Sequence, residues 1–297
     1  MKNKGKLRAY LSLCTSMLIF GSVGIIRRYL SAPSGFIALT RAAVGAVFIL
    51  LTTILCRRRL SSCHIKQNLL KLCISGAFLG INWILLFEAY ERTEVSVATL
   101  CYYMAPVFIV ILSPVILKEH LTLKKIICAA GALAGMVLVS GIFTGHTASG
   151  EHTAGVLFGL ASAAFYAGVV IANKKITAIS LYDKTFVQLA VAAAVVLPYV
   201  LGCEDVSALA FDVQTAILLA VLGIVHTGVA YVLYFGSLEK ISAQSAALCS
   251  YIDPVSALVM SAVFLGERLE IYGIVGAVMI LLFAALGETD TKRGSRV

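Results

Sequence analysis

From Ala9 to Gly287 the chain is a succession of apolar runs, each about twenty residues long, separated by short polar links. The hydrocarbon core of a bilayer is about 30 Å thick, and a helix rising about 1.5 Å per residue crosses it in roughly 20 residues. Ten runs have that length, near residues 9–30, 34–55, 68–90, 95–116, 122–143, 153–172, 184–201, 214–236, 242–265 and 270–287. Lipid offers no partner to a bare N–H or C=O, so each run is predicted to be a helix that satisfies its own backbone. The residues are 60% apolar and 13% charged, with a mean hydropathy of +0.96. Soluble domains lie near about 45–50% and about 25%. Such a chain has too little polar surface to cover itself, so its expected outer partner is the lipid bilayer. The predicted class is an all-α polytopic membrane protein.

The net charge of +9 does not indicate nucleic acid, because the basic residues sit in short clusters between apolar runs. With the N-terminus placed inside, the inside segments hold nineteen of the 24 Lys and Arg residues. The outside segments hold Arg27, Arg28, Arg92 and Arg268, and Arg41 lies within a run. Positive charge marks the cytoplasmic side, so both termini are expected there, with the protein in the plasma membrane. The first run lacks a small-x-small cleavage site and reads as a retained span. The eight cysteines form no metal-binding spacing and no disulfide framework, so neither a metal nor a cofactor is expected.

An internal duplication fixes how these helices are arranged. Glu91-Arg92 followed by Ala98-x-Leu100-Cys101-x-Tyr103-x-x-Pro106 recurs as Glu239-Lys240 followed by Ala246-x-Leu248-Cys249-x-Tyr251-x-x-Pro254. The same register carries Lys118-Glu119-x-Leu121 onto Gly266-Glu267-x-Leu269. Weaker matches set Phe20-Gly21-Ser22 beside Tyr166-Ala167-Gly168, and Arg41 beside Gln188. The copies lie at the third and fourth helices and at the eighth and ninth, so the repeat is five helices long. An odd number of passes turns the second copy upside down. The expected architecture is two inverted five-helix repeats, 1–145 and 146–297, forming one structural unit.

On these residues the chain resembles EamA-type members of the drug/metabolite transporter superfamily, over essentially its whole length. The resemblance rests on the Tyr103/Pro106 and Tyr251/Pro254 helices, the Glu119 and Glu267 segments that close them, and Arg41 in the second helix. It implies ten helices around a central cavity and transport of small organic metabolites, with many members acting as exporters. It also implies that the fifth and tenth helices, with Gly131, Gly135, Gly273 and Gly276, form a scaffold away from the pore.

Several residues could line or operate such a cavity. Pro106 and Pro254 fall near the bilayer midplane, where each removes a backbone donor, and both read as packed kinks or as hinges. Asp253 precedes Pro254 at that depth; it reads as a neutral acid bonded between helices, or as a proton or cation site. Arg41 could snorkel outward, pair with Glu88 or Asp253, or hold a substrate carboxylate. Glu88 reads as a rim acid or a gate, and His226 as a packing residue or a proton relay. Asn82, Trp83, Thr99, Tyr102, Tyr103, Tyr166, Gln188, Tyr231, Ser250 and Tyr251 are candidates for the cavity lining, and Tyr234 joins them as a further ring. Aromatic walls suit apolar or cationic solutes.

The function these features imply is secondary active transport of a small organic solute, such as an amino acid or amine, by alternating access. Export is the expected direction, with coupling to protons or to the membrane potential. A passive channel is the second reading. A membrane-embedded enzyme is the third, and no metalloprotease-type or paired-carboxylate motif supports it.

Overall fold

The computed structural model describes residues 2–30, 32–57, 60–93, 95–139, 150–205, 212–265 and 271–288, and every regular element among them is helical. The first pass is α1 (Lys2–Gly21) continued by α2 (Val23–Arg28). The second is α3 (Ser34–Leu55) and the third α4 (Ser62–Arg92). The fourth is broken into α5 (Val95–Tyr102) and α6 (Ala105–Leu117). The fifth, sixth and seventh are α7 (Leu123–Val139), α8 (Gly150–Lys175) and α9 (Leu181–Cys203). The eighth consists of α10 (Val213–Gly223), a π-helical turn at Ile224–Val229, and α11 (Ala230–Leu238). The ninth is broken into α12 (Ala243–Ser250) and α13 (Ile252–Leu265), and the tenth is α14 (Ile271–Glu288).

Among the described residues, seven passes are long and apolar enough to cross a membrane by that measure alone. The fourth, fifth and tenth complete the set of ten. Several helices run past the apolar stretches that predict them. The third starts at Ser62 rather than 68, and the sixth ends at Lys175 rather than 172. Residues such as His64 and Lys66 are exposed there, so the helix continues into water after its hydrocarbon-matched stretch has ended. The boundary expected at 145/146, and the end of the fifth run near 143, lie outside the described residues.

The helix pairings show the duplication in three dimensions. The third pass packs along the sixth, as the eighth packs along the first. The fourth meets the sixth as the ninth meets the first, and the third meets the seventh as the eighth meets the second. The second and seventh, the fourth and ninth, and the fifth and tenth pair with each other. Each of these main pairings has its counterpart five passes on, as a pseudo-two-fold axis between inverted repeats requires.

Close approach depends on small residues, since lipid removes most of the hydrophobic drive between helices. A Cβ at Gly21 would strike the Ser256 hydroxyl and lie 2.8 Å from the Asp253 carbonyl, so glycine lets the first pass touch the ninth. A Cβ at Gly135 would lie 2.7 Å from the Gly276 carbonyl, which locks α7 against α14. These two helices pack mainly on one another. Leu55, Leu70, Val115 and Val263 are exposed outward, whereas Asn82, Gln188, Lys184 and Gln244 are buried inside. That inside-out distribution is what a lipid solvent demands.

Helix starts are capped both locally and across the fold. Ser180, Asp212 and Ser242 accept the N–H groups of Asp183, Thr215 and Ser245. The backbone bond from Thr215 holds the Asp212 carboxyl below the usual range. Glu204, at the end of the seventh pass, accepts from the N–H groups of Gly35 (2.6 Å) and Phe36 (2.7 Å) at the start of the second. Glu119, at the end of the fourth, accepts from Ala243 (2.8 Å) and Gln244 (3.2 Å) at the start of the ninth.

Candidate functional site

The two broken passes meet at their breaks. Proline has no N–H, so it is tolerated in a first helical turn and disrupts an interior. Pro106 accordingly opens α6, and Pro254 sits in the first turn of α13. The Tyr251 hydroxyl donates to the Tyr103 carbonyl across the gap (3.3 Å), joining the equivalent turns of the two repeats. Tyr251 is fully buried in this joint. Ser250 returns its hydroxyl to the Ala246 carbonyl (2.8 Å).

Asp253 lies two residues beyond Tyr251, roughly 15 Å from the start of α12 at 1.5 Å per residue. It is partly exposed, while Pro254, Val255 and Ser256 after it are buried. Its carboxyl faces the Tyr103 hydroxyl, with Tyr90 and Tyr102 nearby. Tyr90 approaches Thr99 (3.4 Å) on the same side. Among the described residues no cation pairs with Asp253.

A continuous aromatic wall runs from this point. Tyr103 contacts Tyr102 (5.7 Å between ring centres), and Tyr102 contacts Tyr166 (5.7 Å). Tyr166 stacks on Tyr234 (6.3 Å, 21° between planes). Phe20 meets Tyr234 and Tyr231 edge-on, and Tyr231 meets Trp83 (6.4 Å). Tyr234 is fully buried, and its hydroxyl has no hydrogen-bond partner among the described residues.

Arg41 closes the far end of the wall. Its guanidinium lies 5.1 Å over the Trp83 ring, a cation–π contact. Nε donates to Thr227 Oγ1 (3.0 Å), and one terminal nitrogen donates to the His226 carbonyl (3.4 Å). Among the described residues no carboxylate pairs with it. Tyr102 and Tyr231 lie within electrostatic reach of both Arg41 and Asp253, so the two side chains share one wall.

The π-helical turn supplies Arg41 with these acceptors. Such turns insert a residue into the α-helical ladder and recur at functional sites. Here Thr227 donates five residues back to Leu222 (2.9 Å), which leaves its oxygen free to receive Arg41. His226 is buried, with Nε2 at Ser22 (2.8 Å) and Nδ1 at the Val221 carbonyl (3.3 Å), so both ring nitrogens have partners.

Other candidates are placed elsewhere. Glu88 does not reach Arg41: it pairs with Arg92 and accepts from the Tyr199 hydroxyl (2.8 Å). It lines a cleft of about 480 Å³ at the face where the second and sixth passes begin and the third and seventh end. Glu91, Glu151, Glu204 and Asp205 make that cleft acidic. Asn82 joins the third pass to the sixth through Ser162, donating to its carbonyl and to its hydroxyl oxygen (both 2.8 Å). Gln188 donates to Ser75 (2.7 Å), which also receives Asn173 (3.2 Å). Both are helix-to-helix joints, although each keeps one buried carbonyl oxygen without a partner among the described residues. Thr227, Ser22 and Tyr90 escape a reading by residue type, because a hydroxyl in an apolar helix carries no mark of its partner.

Comparison with known proteins agrees with this fold. The family model of the EamA-like transporter family matches the chain twice, over residues 7–141 and 153–286. The chain is a multi-pass membrane transporter and belongs to the EamA-like transporter family. It is 28% identical to the uncharacterized transporter YxxF of Bacillus subtilis (strain 168), over 99% of this chain and 93% of that protein. An uncharacterized transporter of Archaeoglobus fulgidus is 27% identical over 91% of this chain and 92% of its own length. Protein PecM of Dickeya dadantii (strain 3937) is 27% identical over 73% and 72%. A solved crystal structure superposes with a TM-score of 0.85 at 17% identity, over 96% of this chain and 98% of that chain, a likeness of fold.

Proposed function

We propose that the protein is a secondary active exporter of a small zwitterionic or cationic metabolite, such as an amino acid or amine. It works by alternating access around the space bounded by Asp253, the tyrosine wall and Arg41. The observation that carries this reading is a pair of ionisable side chains, Arg41 and Asp253, at opposite ends of one aromatic wall, neither with an opposite charge paired to it among the described residues. Charges within a membrane are retained where they serve a solute or an ion path. Arg41 presents a fork suited to a carboxylate, and Asp253 with the tyrosine faces suits an ammonium. Binding both ends of a zwitterion neutralises both charges at once. The two repeats, divided near residue 145, rock against each other, with both termini in the cytoplasm of a plasma-membrane protein. Proton or potential coupling supplies the work, at about 2.3 kcal/mol per charge per 100 mV.

Purified protein in sealed vesicles under an imposed proton gradient tests this reading. Amino acids, amines, sugars and nucleosides are offered in turn. An amino acid or amine should accumulate above its outside concentration. Equilibration without accumulation points instead to a passive facilitator, and accumulation of sugars alone removes the charge argument.

A further inference from the structure

The links between passes on the inner and outer faces are held by different chemistry. The link between the eighth and ninth passes, residues 238–244, is gripped by three lysines from three other passes. Lys184 of the seventh pairs with Glu239 (3.1 Å), with the amine side chain 1% and the acid 45% exposed. Lys174 of the sixth donates to the carbonyls of Leu238 (2.6 Å) and Ile241. Lys125 of the fifth donates to Gln244 Oε1 (2.7 Å), whose amide donates on to Ser113 (2.8 Å).

By the repeat, the corresponding link on the other face joins the third and fourth passes at Glu91 and Arg92. Its surroundings differ. In the register that sets Glu91 on Glu239, Lys184 falls on Phe36 and Lys125 on Gly273. Arg27, near the end of the first pass, donates to its own Leu30 carbonyl (2.6 Å). Glu91 lines the open acidic cleft. The link on this face is held instead by Thr93 at His152 (2.7 Å) and by Arg92 stacked on Phe158.

On the transporter reading above, we propose that residues 238–244 form the inner gate, with Lys184–Glu239 as its latch. Among the described residues the latch has no counterpart at the corresponding positions outside, so the resting conformer is closed inside and open outside. A lysine amine this buried keeps its charge through its acid partner, and removing that partner leaves an uncompensated buried charge. Opening the gate hydrates the amine and relieves that penalty. Loss of Glu239 therefore favours the inward-open state, whereas the intact pair favours closure.

The test measures spin-label distances in lipid nanodiscs without substrate, on a background freed of other cysteines. One pair, Lys175→Cys with Lys240→Cys, spans the inner face. A second, Glu151→Cys with the native Cys203, spans the outer cleft. Glu239→Gln should raise the population with a long inner distance by about fivefold or more, with a matching rise in short outer distances. Lys184→Gln should act in the same direction, and the exchange Lys184→Glu with Glu239→Lys should restore the original distributions. If Lys184→Gln does not fold, Glu239→Gln alone decides. Unchanged distances in Glu239→Gln, or a longer inner distance with no change outside, overturn the proposal. The distances are read without a solute, so they judge the latch even if no transported compound is found.

Discussion

At the residue scale, two side chains carry the transport proposal, and each has a conservative substitution that separates charge from shape. Asp253→Asn keeps volume and hydrogen bonding but removes the charge. It is expected to abolish gradient-driven accumulation while leaving the thermal midpoint near that of the parent. If Asp253 carries only the proton, counterflow exchange survives; if it also holds an ammonium, exchange is lost too. Wild-type transport with the same pH profile would make Asp253 a structural acid. Arg41→Lys keeps the charge but loses the planar fork that reaches Thr227 Oγ1 and the His226 carbonyl while lying over Trp83. A carboxylate-bearing solute should then bind about tenfold more weakly, about 1.4 kcal/mol, read as a shift in apparent Kd. An amine lacking a carboxylate should be affected much less. What the sequence discloses about this site follows from physics. Arg41 and Asp253 stand out because a charge in an apolar run is rare. Asn82 and Gln188 read alike whether they line a cavity or join helices, and only the fold shows that they bond to Ser162 and Ser75.

At the element scale, the apolar runs and the two prolines announce most of the architecture, because both act locally. Run length sets the number of passes, and Pro106 and Pro254 mark where the fourth and ninth break. The π-turn at Ile224–Val229 has no such sign, since an inserted residue leaves the hydropathy of the eighth pass unchanged. The break in the ninth pass is open to a direct test. Pro254→Ala restores an N–H able to reach back one turn, toward the Ser250 carbonyl, and removes the ring that obstructs a continuous helix. The variant should be at least as heat-stable as the parent. Its turnover should fall about tenfold or more if the break acts as a hinge. A turnover equal to that of the parent would reduce the break to a packed kink, with Tyr251 and Tyr103 joined for stability alone.

At the scale of the whole molecule, the pairings divide the ten passes into a core and a rim. The first four passes of each repeat interlock around the tyrosine wall, whereas α7 and α14 pack mainly on one another. Gly135 against the Gly276 carbonyl makes that contact close along the backbone, which suits a rigid brace better than a moving wall. Water reaching the core should therefore meet the partly exposed Tyr103 and Ser250 but not the rim. Single cysteines at Tyr103 and Ser250, in a background without native cysteines, should react with a small hydrophilic thiol reagent. A cysteine at Ala134, exposed on α7 in the bilayer-spanning stretch, should react at least tenfold more slowly, because a thiol facing lipid cannot ionise or meet the reagent. Adding the transported solute should protect the core positions and leave Ala134→Cys unchanged. Equal reactivity at all three would place water along the rim and remove the division. Equal inertness would show that the tyrosine wall encloses no wet path in the resting conformer.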